Sequence, residues 1–219
     1  MGLTIAAKFA IGQFQTVPVR PPTPEPTHDD ALPRALPDRF FTEEVTVLAR
    51  ALLGCLLSLD GVGGRIVETE AYEPSEPASH AFKGPTARNA VMFGSPGRAY
   101  VYRIYGAHWC LNVVGGAGAG SAVLIRSLEP IHGVDVMLAR RGPAAAKHLC
   151  DGPGRLCQAL GVTNAHNGLS LTEAPFSLLP GSAPEGILFG PRIGISKAVE
   201  LPWRFGVRGS PALSRPFPR

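Results

Sequence analysis

The sequence predicts an α+β fold in which helices surround a curved sheet of antiparallel or mixed strands. The strand-like runs follow one another along the chain and do not alternate with helices in regular βαβ units. Turn residues separate several of these runs, as at Asp60-Gly61 and at Ser95-Pro96-Gly97. The chain has 219 residues, of which 45% are hydrophobic, and this is enough for one domain with a buried core. We therefore expect a single compact domain.

A proline-rich segment marks the N-terminal boundary of this domain. Residues 18–37 contain seven prolines, which favours extended polyproline geometry over packed elements. We therefore predict that residues 1–37 form a mobile extension and that residues 38–219 form the folded domain.

The first predicted element of the domain is a helix over residues 42–54. Thr42 can cap its N terminus, Glu43 and Glu44 suit the first turn, and Gly54 can end it. The periodicity and the turn residues then predict strands at 56–59, 64–72, 98–105, 108–114 and 122–128, helices at 133–141 and 154–160, and a last sheet-like segment at 190–195.

A glycine-rich segment, residues 115–120, lies between two of the predicted strands. It lacks the Lys-Ser/Thr pair that ends a phosphate-binding loop, and it leads into a strand where such a loop leads into a helix. We therefore predict a flexible hairpin turn at this position.

The cysteines and the hydropathy pattern exclude several classes of protein. Cys55, Cys110, Cys150 and Cys157 lack the spacing of a metal site or a redox pair, so we expect buried free thiols in a reducing compartment. No apolar run approaches the length of a membrane span, and the first residues do not form a convincing secretory signal. These features predict an intracellular protein that does not bind membranes.

Positive charge is concentrated in two stretches of the chain. No carboxylate lies between Glu76 and Glu129, although five cations do, and residues 192–219 hold six cations against Glu200 alone. Arginine-rich faces of this kind can neutralise phosphates. On charge alone, a scattered and solvated surface is an equally good interpretation.

Two strand segments carry carboxylates and aromatic rings in an alternating pattern. Successive side chains of a strand point to opposite faces, so Glu68, Glu70 and Tyr72 share one face of the first segment. Tyr100 and Tyr102 share one face of the second segment. Carboxylates beside aromatic rings suit an enzyme that stacks a flat ring and hydrolyses a bond to it.

Several short motifs run in order along the chain from about Phe40 to Pro211. They are RIVETEAY at 65–72, His80 with KGPTARNAVMF at 83–93, YVYRIYG at 100–106, CLN at 110–112, VLIRSLEP at 123–130, DGPGRLCQAL at 151–160 and RFGVRGSP at 204–211. Each motif alone is weak, but together and in this order they closely resemble the 3-methyladenine DNA glycosylases of the alkyladenine (methylpurine) type.

The resemblance implies both a fold and an activity. Members have a compact α/β domain with a protruding β-hairpin that enters the DNA minor groove, and they remove alkylated and some deaminated purines, such as 3-methyladenine, 7-methylguanine and hypoxanthine, without a metal. We therefore expect a monofunctional enzyme of base excision repair that needs no cofactor. Its expected partner is double-stranded DNA with damaged purines, and we expect a monomer.

The glutamate that activates water in the family matches Glu70. Glu68 is the rival candidate because it shares the strand face, but a salt bridge or a supporting hydrogen bond suits it better. Arg126 matches the arginine that holds the attacking water, and the alternative for it is an ordinary ion pair with Glu129. The family also uses a backbone carbonyl here, and Ile193 is the candidate to supply it.

The resemblance also implies how the base and the duplex are held. Tyr72, His80 and Tyr102 match the aromatic walls of the base pocket, and Asn112 matches a residue that narrows its floor against normal guanine. Tyr105 matches the hairpin-tip residue that wedges into the duplex where the nucleotide leaves. Candidate phosphate contacts are Arg88, Asn89, Arg98, Arg103 and Arg155.

The chain departs from related sequences in its hairpin, at Ala107 and Trp109. Two alternatives to a glycosylase remain open at this point. A module that binds DNA damage without cutting would keep the aromatic residues and arginines but would give Glu70 no role. A glycoside hydrolase would use Glu68 and Glu70 as a pair, although adjacent positions on one strand face are poor flanks for a sugar bond.

Overall fold

Eight strands, three α-helices and four short 3₁₀ helices make up the regular structure of this computed structural model, which describes Met1 and residues 35–218. The extension predicted over residues 1–37 lies outside the described residues except for Met1 and residues 35–37. The elements are α1 (Val45–Ala51), β1 (Leu56–Leu59), β2 (Val62–Tyr72), β3 (Ala99–Ile104), β4 (His108–Val114), β5 (Ala122–His132), α2 (Val134–Arg141), α3 (Pro153–Leu160), β6 (Phe176–Leu179), β7 (Ile187–Gly190) and β8 (Arg204–Val207).

The strands form one curved antiparallel sheet, so the predicted α+β class is confirmed. Its main strand order is β3-β4-β5-β2-β1-β6, and β8 pairs with both β2 and β7. β2 pairs with β5 along one edge, and its other edge is shared between β1 at residues 62–65 and β8 at residues 68–70. The register between β2 and β5 shifts on both sides of Glu68. Such irregularities bend a strand and increase its twist, which curves the sheet beside the candidate catalytic residues.

The hydrophobic core lies between this sheet and the helices. α1 buries Val45, Leu48 and Ala49 against β2 and β5, and α3 packs on β4 and β5. Ile66 and Leu128 are completely buried beneath them. The core therefore supports β2, β4 and β5, three of the strands that carry the candidate site. Within the described residues, no helix is long and apolar enough to cross a membrane.

The predicted cap of the first helix was wrong. Thr42 ends a short 3₁₀ helix and donates its hydroxyl to the Arg39 carbonyl. Glu44 caps α1 instead, because its carboxylate accepts hydrogen bonds from the backbone N–H groups of Thr46, at 3.1 Å, and Val47, at 3.3 Å. A carboxylate at this position also interacts favourably with the helix dipole.

The end of the sheet was also predicted incompletely. β1 and β4 have the predicted bounds, but the sequence did not predict β6 or β8, and the segment predicted at 190–195 overlaps β7 only at Gly190. Residues 191–195 form a loop beside the end of β2. The glycine-rich segment does connect β4 to β5. A Cβ atom at Gly115 would lie 2.5 Å from the Phe41 carbonyl oxygen, so close packing requires glycine there.

Candidate active site

A cavity of about 790 Å³ opens where β3, β4 and β5 meet the loops at residues 77–92 and 193–197. Its wall brings together side chains that are far apart in the sequence. Six of the seven predicted site residues line it, namely Tyr72, His80, Tyr102, Tyr105, Asn112 and Arg126. The seventh, Glu70, lies directly behind the wall.

Glu70 is completely buried, and three residues of the cavity wall hold its carboxylate. The Tyr72 hydroxyl donates to Oε2 at 2.8 Å, and the Ile193 backbone N–H donates to Oε1 at 2.7 Å. Arg126 places Nη1 3.2 Å from Oε1. The carboxylate is therefore oriented by a cation and two hydrogen-bond donors. Ile193 contributes its N–H to this arrangement, whereas the sequence suggested its carbonyl.

Arg126 links Glu70 to its neighbour on β2. Its Nε donates to Glu68 Oε1 at 3.0 Å while Nη1 faces Glu70. Burial lowers the pKa of Arg126, but the two carboxylates outweigh burial and raise that pKa above its usual value. The guanidinium is thus a permanent buried cation. The alternative partner, Glu129, pairs instead with Arg65 at 3.6 Å.

Glu68 has a full set of hydrogen-bond donors. Arg126, Arg204, the Ser127 hydroxyl and both the N–H and the hydroxyl of Ser214 bond to it at 2.6 to 3.1 Å. Burial raises the pKa of Glu68, but Arg126, the Ser214 N–H and Arg204 together hold it below its usual value. Glu68 does not line the cavity. This geometry suits a supporting ion pair and does not suit one half of a carboxylate pair that flanks a sugar bond.

Aromatic rings form one side of the cavity. The His80 and Tyr102 ring centroids are 4.5 Å apart, and the His80 Nδ1 lies 2.9 Å from the Tyr100 hydroxyl. Burial and Arg88 lower the pKa of His80, and burial raises the pKa of Tyr72 and of Tyr102. These rings are consequently uncharged near neutral pH. Tyr100 was not among the predicted site residues, although its place on the same strand face as Tyr102 was a signal for it.

Asn112 is buried and bonded, as an amide inside an apolar strand must be. Its Nδ2 donates to the Tyr100 carbonyl at 2.9 Å, which fixes the orientation of the carboxamide. Within the described part of the chain, no hydrogen bond reaches its Oδ1. An amide oxygen is thus available as an acceptor in the cavity wall.

The β3–β4 hairpin presents Tyr105 to solvent. The side chain is 84% exposed, and the residue has a φ of +51°, followed by Gly106 at +67°. The Ala107 N–H closes the turn on the Ile104 carbonyl at 3.2 Å. A positive φ is rare for a bulky residue, so the turn holds this ring outward in an uncommon backbone conformation. Behind it, the Arg103 guanidinium lies 5.7 Å from the centre of the Trp109 ring.

Four exposed cations line the cavity in addition to the buried Arg126, and no carboxylate in the described part of the chain lines it. Two of these cations, Arg88 and Arg103, were predicted as phosphate contacts. The other two, Lys197 and Arg215, were not, because the family motifs that carry the resemblance do not include them. The four cations are Arg88, Arg103, Lys197 and Arg215.

Other predicted phosphate contacts lie elsewhere or are occupied. Asn89 was a wrong prediction, since it is buried and its Nδ2 donates to the His80 and Gly84 carbonyls. Arg155 is bonded to Asp151 at 2.8 Å, and Arg98 is exposed but does not line the cavity. Three further arginines of the basic stretches form ion pairs with buried carboxylates, namely Arg126, Arg192 and Arg204.

The four cysteines are free and buried, as predicted. Burial raises the pKa of the Cys55 thiol to about 11 and that of Cys150 to about 12. These thiols are therefore protonated and unsuited to nucleophilic chemistry. In residues 35–218, no cluster of three His, Cys, Asp or Glu side chains could hold a metal ion.

Comparison with known proteins gives the same family as the motifs. A family model described as methylpurine-DNA glycosylase matches residues 39–211. A protein of Nitrosospira multiformis is 56% identical over 182 residues, which is 83% of this chain and 94% of the relative. A protein of Rhodopseudomonas palustris strain CGA009 is 53% identical over 201 residues, 91% of this chain and 97% of its own. Both relatives bear the name "Putative 3-methyladenine DNA glycosylase".

Proposed function

The chain belongs to the methylpurine-DNA glycosylase family, whose members hydrolyse N-glycosidic bonds in DNA, and we propose that it is a monofunctional glycosylase of base excision repair. In this proposal it flips an alkylated or deaminated purine out of duplex DNA, releases the base and leaves an abasic site. The observation that carries the proposal is the Glu70 carboxylate, which Arg126, Ile193 and Tyr72 hold directly behind an aromatic cavity.

The proposed reaction uses the charge of Glu70 twice. Loss of a purine from deoxyribose develops positive charge on the sugar, and a fixed carboxylate stabilises that charge. The same carboxylate takes a proton from the water that attacks C1′, a role that contributes about 10²- to 10⁴-fold in rate. Arg126 orients the carboxylate, because its guanidinium lies 3.2 Å from Oε1.

Water must reach Glu70 for this reaction to occur. The side chain has no exposed surface in the free protein, and the Tyr72 hydroxyl occupies Oε2. Tyr72 also lines the cavity that would receive the base. We therefore propose that entry of a base beside the Tyr72 ring displaces this hydroxyl and admits one water to Oε2.

The chemistry of the cavity favours purines that already carry a positive charge. Aromatic rings attract a cationic base by stacking and by cation–π interaction, each of about 1–3 kcal/mol. A cationic 3-methyladenine or 7-methylguanine leaves without further protonation, whereas hypoxanthine needs a proton. The lowered pKa of His80 and the raised pKa of Tyr72 and Tyr102 make these rings poor proton donors. We expect faster release of the methylated purines than of hypoxanthine.

The proposed DNA interface consists of the cavity mouth and the hairpin tip. Arg88, Arg103, Lys197 and Arg215 would contact phosphates around the extruded nucleotide. Tyr105 would fill the gap that the nucleotide leaves in the stack, for which its 84% exposure is suited. Action as a monomer and an intracellular location remain part of this proposal.

The decisive experiment incubates the protein, without metal, with duplexes that carry one 7-methylguanine or one hypoxanthine. We expect abasic sites with the wild type, and release at least about 10²-fold slower with Glu70→Gln, which keeps the shape of the side chain but not its charge. Glu129→Gln is the matched control, since Glu129 lies on β5 outside the cavity and should release base normally. Wild-type release by Glu70→Gln would overturn the assignment.

The products of the same reaction test the other parts of the proposal. Lys197 lines the cavity, so an amine is near the site, whereas Lys83, the one lysine within the motifs, does not line it. A monofunctional enzyme gives intact strands until alkali is added and no borohydride-trapped adduct. Strand cleavage without alkali would instead assign a lyase step. A non-catalytic binding module would retain the lesion-containing duplex and release no base from it.

A further inference from the structure

We propose that Ser214 is a positioning residue that holds Arg126 in place against Glu70, an inference that rests on the proposed role of Glu70. Ser214 lies beyond residue 211, the last residue that the family model matches. It belongs to the segment that follows β8, residues 208–218, called here the C-terminal strap. The strap is bound to the buried ion pairs beside the site.

Ser214 bonds to both partners of the Glu68–Arg126 pair. Its backbone N–H donates to Glu68 Oε2 at 2.6 Å and its hydroxyl donates to Glu68 Oε1 at 2.8 Å. The same hydroxyl oxygen accepts from Arg126, with Nη2 at 3.2 Å and Nε at 3.4 Å. One hydroxyl thus bridges a buried anion and a buried cation, using its proton for one and a lone pair for the other.

These contacts give each nitrogen of the Arg126 guanidinium an acceptor. Nε bonds to Glu68, Nη1 faces Glu70 and Nη2 bonds to Ser214. A guanidinium is planar and rigid, so three acceptors in three directions fix its rotation. Without the Ser214 hydroxyl, Arg126 could turn toward Glu68, which would move Nη1 away from the proposed catalytic carboxylate.

Arg204 anchors the C-terminal strap on the other side of Ser214. Its terminal nitrogens donate to the carbonyls of Arg215 and Pro216, and its Nε donates to Glu68 at 2.7 Å. The Phe217 ring lies 3.9 Å from the Arg204 guanidinium carbon and packs on Gly206, where a Cβ atom would lie 2.6 Å from the ring. These neighbours set the position of residue 214, and they stay in place when Ser214 is substituted.

The test compares Ser214→Ala with Ser214→Thr, which restores the hydroxyl, and with Ser210→Ala. Ser210 is the matched control, because it lies on the same strap and donates at 2.7 Å to Glu129, a glutamate outside the cavity. We expect single-turnover release of 7-methylguanine to fall about 10- to 100-fold in Ser214→Ala, the scale of a misplaced catalytic group. Affinity for a duplex with an uncleavable abasic analogue should stay within twofold.

Ser214→Thr should recover most of the lost rate, and Ser210→Ala should match the wild type. A second readout does not depend on turnover: the Arg126 Nε–H resonance should exchange faster with solvent in Ser214→Ala than in the wild type or Ser210→Ala. An unchanged rate and unchanged exchange in Ser214→Ala would overturn the inference, as would equal loss in the threonine variant. A wild type that releases no base would refute the proposed function, while the exchange measurement would still decide the positioning role.

Discussion

Glu68 and Glu70 lie two residues apart on β2, are both completely buried and share Arg126, yet their surroundings differ. Glu68 receives five hydrogen bonds and has no contact with the cavity. Glu70 receives two hydrogen bonds and one ion-pair contact, all from residues that line the cavity. A carboxylate with every lone pair occupied supports structure, whereas one held behind a cavity wall can still exchange a partner for water.

The largest expected difference between the two glutamates is in stability. Glu68→Gln leaves Glu70 as the remaining carboxylate of the network, in contact with Arg126, and removes the carboxylate that pairs with Arg204. Removing one partner of such a buried network costs about 3–5 kcal/mol in the free energy of unfolding. Glu70→Gln should cost clearly less, because Arg126 keeps Glu68 and the amide can still accept from Ile193. Urea unfolding of both variants measures this, and a less stable Glu70→Gln would reverse the comparison.

A smaller difference is expected in the response to acid. The pKa of Glu68 lies below its usual value of 4.5, because Arg126, the Ser214 N–H and Arg204 outweigh the effect of burial. Its contribution to stability is therefore complete above pH 4.5 and is lost as the pH falls through the lowered pKa.

The free energy of unfolding, measured between neutral pH and about pH 3, should consequently fall more steeply below pH 4.5 in the wild type than in Glu68→Gln. Glu129→Gln, which also removes one carboxylate but a partly exposed one, serves as the control. Identical slopes in the wild type and Glu68→Gln would show that Glu68 is not the buried acid that this geometry describes.

The smallest expected effect comes from removing one neutral donor from each carboxylate. Ser127→Ala should lower the free energy of unfolding by about 1.5–3 kcal/mol, the range for a hydrogen bond to a charged group, and should leave base release unchanged. Tyr72→Phe should cost less than about 1 kcal/mol, because cavity water can replace the lost hydroxyl at Glu70.

Tyr72→Phe keeps the aromatic wall and uncovers Oε2, so we expect it to retain base release within about tenfold of the wild type. Urea unfolding and single-turnover assays on the same two variants provide the measurement. A larger stability loss in Tyr72→Phe than in Ser127→Ala would mean that water does not reach Glu70.

The sequence predicted the strands that carry the site better than the interactions that hold it. Alternation placed Glu68 and Glu70 on one face of β2, and both do contact Arg126. Three of the partners that distinguish them, Ile193, Arg204 and Ser214, lie 123 to 146 residues away, in the loop after β7, on β8 and in the C-terminal strap. Periodicity is local and contains no information about such distant contacts.

Local patterns also failed where side chains found partners other than the expected ones. Thr42 has the right chemistry for a helix cap, but α1 begins later along the chain, and Glu44 accepts from the N–H groups of its first turn. The sequence predicted Asn89 as a phosphate contact beside Arg88, but its side-chain amide donates to the carbonyls of two loop residues, His80 and Gly84. Lys197 lay outside every motif and still lines the cavity, because the loop that carries it folds back against β2.

The buried charges have a consequence for how the protein responds to ionic strength. Three arginines and three glutamates make up the buried charged residues of the described chain, so their formal charges cancel. The formal net charge of +4 therefore belongs to residues outside this set. Dissolved salt screens exposed charges within about 8–10 Å but hardly reaches buried pairs. Raising the ionic strength can thus weaken the attraction to a polyanion while the geometry around Glu70 stays intact.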